Sequence, residues 1–110
     1  MTKIKFKQRG NKYTVEAKGH ATGSEIACAG VSAVMYALAG YLINAERAGK
    51  VYDVSGHLKP ADAVQEWCGG EAAEAAYEMA TIGLMQIAES YPQYVKIAVD
   101  NSFLLGAKSR

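Results

Sequence analysis

Gly19-His20-Ala21-Thr22-Gly23-Ser24-Glu25-Ile26-Ala27-Cys28-Ala29-Gly30-Val31-Ser32 is the stretch on which the reading of this 110-residue chain turns. Before it, apolar residues alternate with polar ones as in a strand. After it, they recur at helical spacing. A strand therefore ends at His20, Thr22-Gly23-Ser24 forms a loop, and a long helix starts near Glu25, which places Cys28 in its first turn.

Working outward, Ile4 and Phe6 alternate with Lys3, Lys5 and Lys7. Arg9-Gly10-Asn11-Lys12 then supplies turn chemistry before Tyr13, Val15 and Ala17 alternate again, which predicts a β-hairpin. Downstream, Val31, Val34, Met35, Leu38 and Leu42 mark a helix of about six turns that stops at Gly49, a residue suited to a left-handed terminus. Its small residues Ala29, Gly30, Ala33, Ala37 and Gly40 would let another backbone approach closely. Two short strands follow, Val51 to Ser55 and Ala63 to Cys68, joined through Lys59-Pro60-Ala61-Asp62. A second amphipathic helix from Glu71 carries Ala73, Tyr77, Ala80, Leu84, Ile87 and Tyr91 on one stripe and ends before Pro92. Val95, Ile97 and Val99 form a last strand, and Asn101 to Arg110 reads as a loosely held tail.

The order β-β-α-β-β-α-β predicts a single α+β domain over residues 1–110, a small mixed or antiparallel sheet of about five strands with two long helices on one face. The other face is expected to stay partly apolar. If Tyr13, Tyr52 or Trp67 projects there, a second copy of the chain is its expected cover.

Twelve Lys and Arg against eleven Asp and Glu give a formal charge of +1, so bulk charge predicts neither a nucleic acid nor a membrane surface as partner. Lys3, Lys5, Lys7 and Lys12 read as the solvated face of an edge hairpin. The apolar run Ile26 to Ile43 is broken by glycines, Ser32, Tyr36 and Tyr41, and reads as a buried helix. Two cysteines make no disulfide framework and no signal-peptide run is present, so a reducing, cytoplasmic setting is expected.

A thiol is a nucleophile as its anion, which the free amides of a helix's first turn and a nearby imidazolium both stabilise. Histidine exchanges protons near neutral pH, and a glycine-containing loop can carry His20 over the helix start. Main-chain amides near Cys28 would form an oxyanion hole for acyl transfer. Glu25 is placed to orient the imidazole, and Ser32 lies one turn beyond Cys28 on the same face. These residues equally suit a structural role, a small buried cysteine and a loop histidine.

Gly19-His20-Ala21 followed by Gly23-Ser24-Glu25-Ile26-Ala27-Cys28-Ala29-Gly30-Val31-Ser32 resembles the signature of the ribosomal-processing cysteine protease family, Prp. In that pattern a Gly-His-Ala strand end precedes a loop, Gly-x-Asp-x-x-Cys-Ala and a serine four positions after the cysteine. The resemblance implies Cys28 as nucleophile, His20 as general base, and Ser32 at the family's serine, with Gly19, Gly23 and Glu25 in supporting positions. It further implies a homodimer that removes the N-terminal extension of a large-subunit ribosomal protein precursor without a cofactor. Two departures stand out: Glu25 replaces the family's Asp, and the loop between Ala21 and Gly23 is shorter. Both suit a divergent member, such as one carried by a mobile element and acting on a different protein.

Two alternatives compete with the protease. His20, Cys28, His57 and Cys68 would make a two-Cys, two-His set, but no pair has close ligand spacing, so no metal site is expected. Cys68 is expected to face the core, His57 to lie in a hairpin, and a Cys28 to Cys68 disulfide to form only in an oxidising compartment. A catalytically silent dimeric binding or assembly module is the other alternative.

Overall fold

Alternating strands and two apolar-striped helices give seven elements in the computed structural model, which describes residues 1–99. They are β1 (Thr2–Arg9), β2 (Lys12–Lys18), α1 (Glu25–Arg47), β3 (Val51–Lys59), β4 (Asp62–Gly69), α2 (Glu71–Ser90) and β5 (Val95–Val99). The predicted order holds, and the tail expected from Asn101 lies outside the described residues. The strands make one sheet in the order β3-β4-β2-β1-β5. It is mixed, because β1 pairs antiparallel with β2 and parallel with β5. The β1–β2 hairpin is therefore central, not an edge as its lysines suggested. The edges are β3 and β5.

β3 runs four residues beyond the expected Ser55. Its register shifts between Tyr52 and Ser55, Asp53 sits at φ 54°, and Gly56 at φ 142° lies where a Cβ would collide with the Val64 carbonyl. A bulge breaks the period of two, so alternation alone stops short. α1 starts on Ser24, whose Oγ accepts from the Ala27 amide at 3.1 Å. It ends in a Schellman motif: Gly49 at φ 73° donates to the Glu46 carbonyl and Lys50 to the Ala45 carbonyl.

One face of the sheet is buried under both helices. Phe6, Tyr13 and Trp67 meet Tyr77 of α2 there: Tyr13 stacks on Trp67 at 5.9 Å, and Tyr77 lies 5.0 Å from Tyr13 and edge-on to Phe6 at 6.5 Å. The Trp67 Nε1–H donates to the Ala73 carbonyl at 3.0 Å, so the indole is buried with its polar atom satisfied. Burial first, then the carboxylates of Glu74 and Glu78, push the Tyr13 phenol above its ordinary range. The helices touch where Gly30 faces Ile87 and Gly83 faces Val34. Of the small residues expected to admit a neighbouring backbone, only Gly30 is used against α2. Ala29, Ala33, Ala37 and Gly40 face outward.

The opposite face, expected to be partly apolar, is mostly charged, with Tyr52, Val64 and Cys68 among its few apolar members. Tyr13 and Trp67 point to the helices, leaving Tyr52 as the only one of the three aromatics outside the core. Register puts eight cations on the open face, namely Lys3, Lys5, Lys7, Arg9, Lys12, Lys18, Lys59 and Lys96, against Glu16, Asp62 and Glu66. The other described residues carry seven carboxylates against Arg47 and Lys50. A two-fold pairing through the open face would bring like charge against like charge. α1 is also less buried than expected: it is long and apolar enough to cross a membrane, yet only 33% of that stretch is buried.

Replacing Tyr77 with Ala empties the contact that ties α2 to β1, β2 and β4. The expected loss is about 3–5 kcal/mol in urea unfolding. A loss below ~1 kcal/mol would show that the aromatic cluster does not anchor the helix.

Candidate active site

Two other segments, the start of β1 and the β3–β4 turn, converge on Gly19, the residue before His20. Its amide donates to the Ala61 carbonyl at 2.8 Å, in the turn between β3 and β4. Its carbonyl accepts from Thr2 Oγ1 at 3.0 Å, and its φ of 92° brings it so close to the Met1 carbonyl that a Cβ would overlap it. Only glycine fits this position. Gly23, at φ 98°, lies against the Tyr94 ring, 3.1 Å from where a Cβ would stand. The short loop is thereby held at both ends. Sequence reasoning missed Thr2, Ala61 and Tyr94, because they are remote in the chain and carry no chemical signature.

Cys28 occupies the fourth position of α1, and its amide donates to the Ser24 carbonyl at 3.1 Å. That amide is therefore unavailable to an oxyanion, which narrows the expected set of main-chain amides near Cys28. The Ala27 amide is likewise taken by Ser24 Oγ. Glu25 and Ile26 begin the helix, and their amides have no intrahelical acceptor. Helical side chains lean toward the N-terminus, so the Cys28 thiol lies back over this first turn.

His20 and Cys28 together border two depressions. The first encloses about 260 Å³ between α1 and the β3–β4 tip, with Val31, Met35, Leu58 and Ala63 on its walls and Ser32 and Tyr36 at its side. The second is lined by Ala21 to Glu25 together with His20 and Cys28. All six sequence-selected residues thus border this region: Gly19 and Ser32 the first depression, Gly23 and Glu25 the second, His20 and Cys28 both. His20 and Glu25 are exposed, and no hydrogen bond joins them among the described residues. Cys28 is partly buried against the core.

Asp62 also borders the first depression. Its Oδ2 lies 3.0 Å from His57 Nε2, and this hydrogen bond, ahead of the charges of His57, Lys18 and Lys59, holds its carboxyl below the usual carboxylate range. His57 lies in the β3–β4 hairpin as expected. Cys68 is buried, but adjacent Trp67 faces the helices, so Cys68 belongs to the open face beside Lys12 and Tyr52 and stands outside the main core cluster. Cys28 and Cys68 are free thiols on opposite sides of the sheet. The four-residue Cys/His set does not converge, and no metal-competent cluster occurs among the described residues.

The model of the cysteine protease Prp family matches residues 1–96. No curated protein matches the chain. Among solved structures, the ribosomal processing protease Prp from S. aureus with a covalently linked product peptide is similar at TM-score 0.73 and 18% identity, covering 91% of this chain and all of that one. The same S. aureus protein with a substrate peptide gives TM-score 0.69 at 17% identity and the same coverage. SMU.848 from Streptococcus mutans gives 0.63 at 22%, covering 91% of this chain and 96% of that one. These likenesses carry the fold, the family match carries the lineage, and the chain belongs to the cysteine protease Prp family.

Proposed function

We propose that the protein is a cysteine endopeptidase with Cys28 as nucleophile and His20 as general base and acid. The carrying observation is that His20 and Cys28 both border both depressions. An extended peptide crossing from one to the other lays its scissile carbonyl over Cys28. The thiolate adds to the carbon, and the developing oxyanion faces the first-turn amides of Glu25 and Ile26. His20 then donates its proton to the leaving amine, and water activated by the same imidazole releases the acyl group. The exposed imidazole requires substrate to hold it in place, as catalytic contacts that tighten only in the complex commonly do.

The apolar walls of the first depression suit an apolar segment on the acyl side of the scissile bond. By its resemblance to the Prp family, which implies it, the substrate is the N-terminal extension of a ribosomal protein precursor. A free nucleophilic thiol needs a reducing compartment, taken as the cytoplasm. The homodimer forms through the outer face of α1. No charged residue occurs from Ile26 to Ala45, while Ile26 and Tyr36 are 70% and 62% exposed.

Incubating the protein with such a precursor should give a trimmed product by intact mass. The product should vanish in Cys28→Ala and form roughly 100-fold or more slower in His20→Ala. Uniformly slow iodoacetamide labelling of Cys28 at every pH, with no trimming, would sink the protease and leave a silent assembly module. Gly19→Ala should cost more than the about 1–2 kcal/mol of a left-handed alanine, because its Cβ also overlaps the Met1 carbonyl, and slow cleavage at least ~10-fold, because the strain falls beside His20. Gly49→Ala, also at positive φ but remote and with open space for a Cβ, should lose about 1–2 kcal/mol and keep its rate. Equal rates in the two variants would remove Gly19 from the mechanism. Light scattering should give a dimer for the native chain and a monomer for Ala37→Arg; an unchanged dimer would place the interface elsewhere.

A further inference from the structure

Over the described residues the charge is the sum of two unlike halves that cancel. The open sheet face carries five more cations than carboxylates, and the rest of the described chain carries five more carboxylates than cations. On the open face the carboxylates are occupied: Glu66 lies 3.5 Å from Lys12, Glu16 lies 3.7 Å from Lys18, and Asp62 lies 3.0 Å from His57. Lys3, Lys5, Lys7 and Lys96 have no ion-pair partner among the described residues. A lysine row of this length, unbalanced and in the middle of a sheet instead of at its edge, is not accounted for by edge protection.

We propose that this face docks the phosphate backbone of RNA. Same-face residues on a strand repeat every ~6.6 Å, so Lys3, Lys5 and Lys7 make a ridge about 13 Å long, enough to follow a few successive phosphates of one strand. Lys96 and Lys18 flank Lys3 in the same row across β5 and β2, widening the ridge to three strands. Tyr52 is the exposed aromatic of this face and lies at its far edge, with its hydroxyl accepting from Asn11 Nδ2 at 2.7 Å. Without a platform for stacking bases, the face binds phosphates without reading sequence. No large apolar side chain projects from the ridge to enter a bilayer, which separates it from a membrane-binding surface. The active-site depressions lie on the helix side and at the β3–β4 tip, so RNA on the open face leaves Cys28 open to a peptide.

The choice of RNA over another polyanion rests on the ribosomal-protein substrate proposed above, since such a substrate travels with RNA. RNA binding is measured without any peptide, so the two proposals fail separately. The probe is a fluorescein-labelled RNA hairpin, followed by anisotropy against the native full chain between about 50 and 200 mM salt. Three phosphate contacts predict a fall in affinity of roughly 20- to 40-fold over that range. Lys3→Gln/Lys5→Gln/Lys7→Gln should reduce the log–log salt slope by about 2–3 and leave peptide cleavage unchanged, whereas Arg47→Gln/Lys50→Gln should leave the slope intact. If the triple variant does not melt cooperatively, Lys5→Gln and Lys7→Gln taken singly should each lower the slope by about 1. No binding at low salt, a slope unmoved by the β1 substitutions, or tighter binding to phosphatidylserine vesicles or to a DNA hairpin than to the RNA would overturn the proposal.

Discussion

Tyr77 packed among Phe6, Tyr13 and Trp67 is the contact on which the rest of the molecule depends. It ties α2 to β1, β2 and β4 at once, and each well-placed aromatic pair adds about 0.5–1.5 kcal/mol beyond the area it buries. Once these rings are turned inward, the period of two assigns every other strand residue to the opposite face. That single choice sends the lysines of β1 to solvent together, brings Cys68 to the side away from Cys28, and leaves α1 and the β3–β4 tip to build the groove.

The active-site region uses a different device. Gly19 ends β2 at a backbone conformation closed to L side chains and is tied to Thr2 and to Ala61. Ala61 itself sits at φ 60°, so the β3–β4 turn carries strain where it supports the loop. The histidine is thus placed by contacts of its neighbour's backbone with two separate segments while its ring is exposed. The cysteine is placed by helix geometry and Ser24. A short loop suffices because both ends are held independently.

Much of this was legible in the chain. Hairpin chemistry at Gly10-Asn11, the small-residue helix after Ser24 and the stripe from Ala73 to Ile87 gave the element order, because each signal is local. Where the reading failed, the missing information was non-local. The bulge at Asp53 and Val54 broke the alternation of β3, and nothing near Lys3 announced that β5 would pair with β1 and make the hairpin central. The buried-helix reading of α1 rested on composition, which does not tell a helix covered on all sides from one covered on one side.

By itself, then, the sequence determined the seven elements and the proximity of His20 to Cys28 across eight residues of chain, since a strand end, a glycine loop and an N-cap leave little freedom. Only the tertiary structure decided that Thr2 and Ala61 hold the histidine's neighbour, and that a near-neutral chain separates its charge into two opposed faces. The physical reason is that hydrogen-bond partners and the sharing of faces across strands depend on register and strand order, and these are set by the packing of residues far apart in the chain.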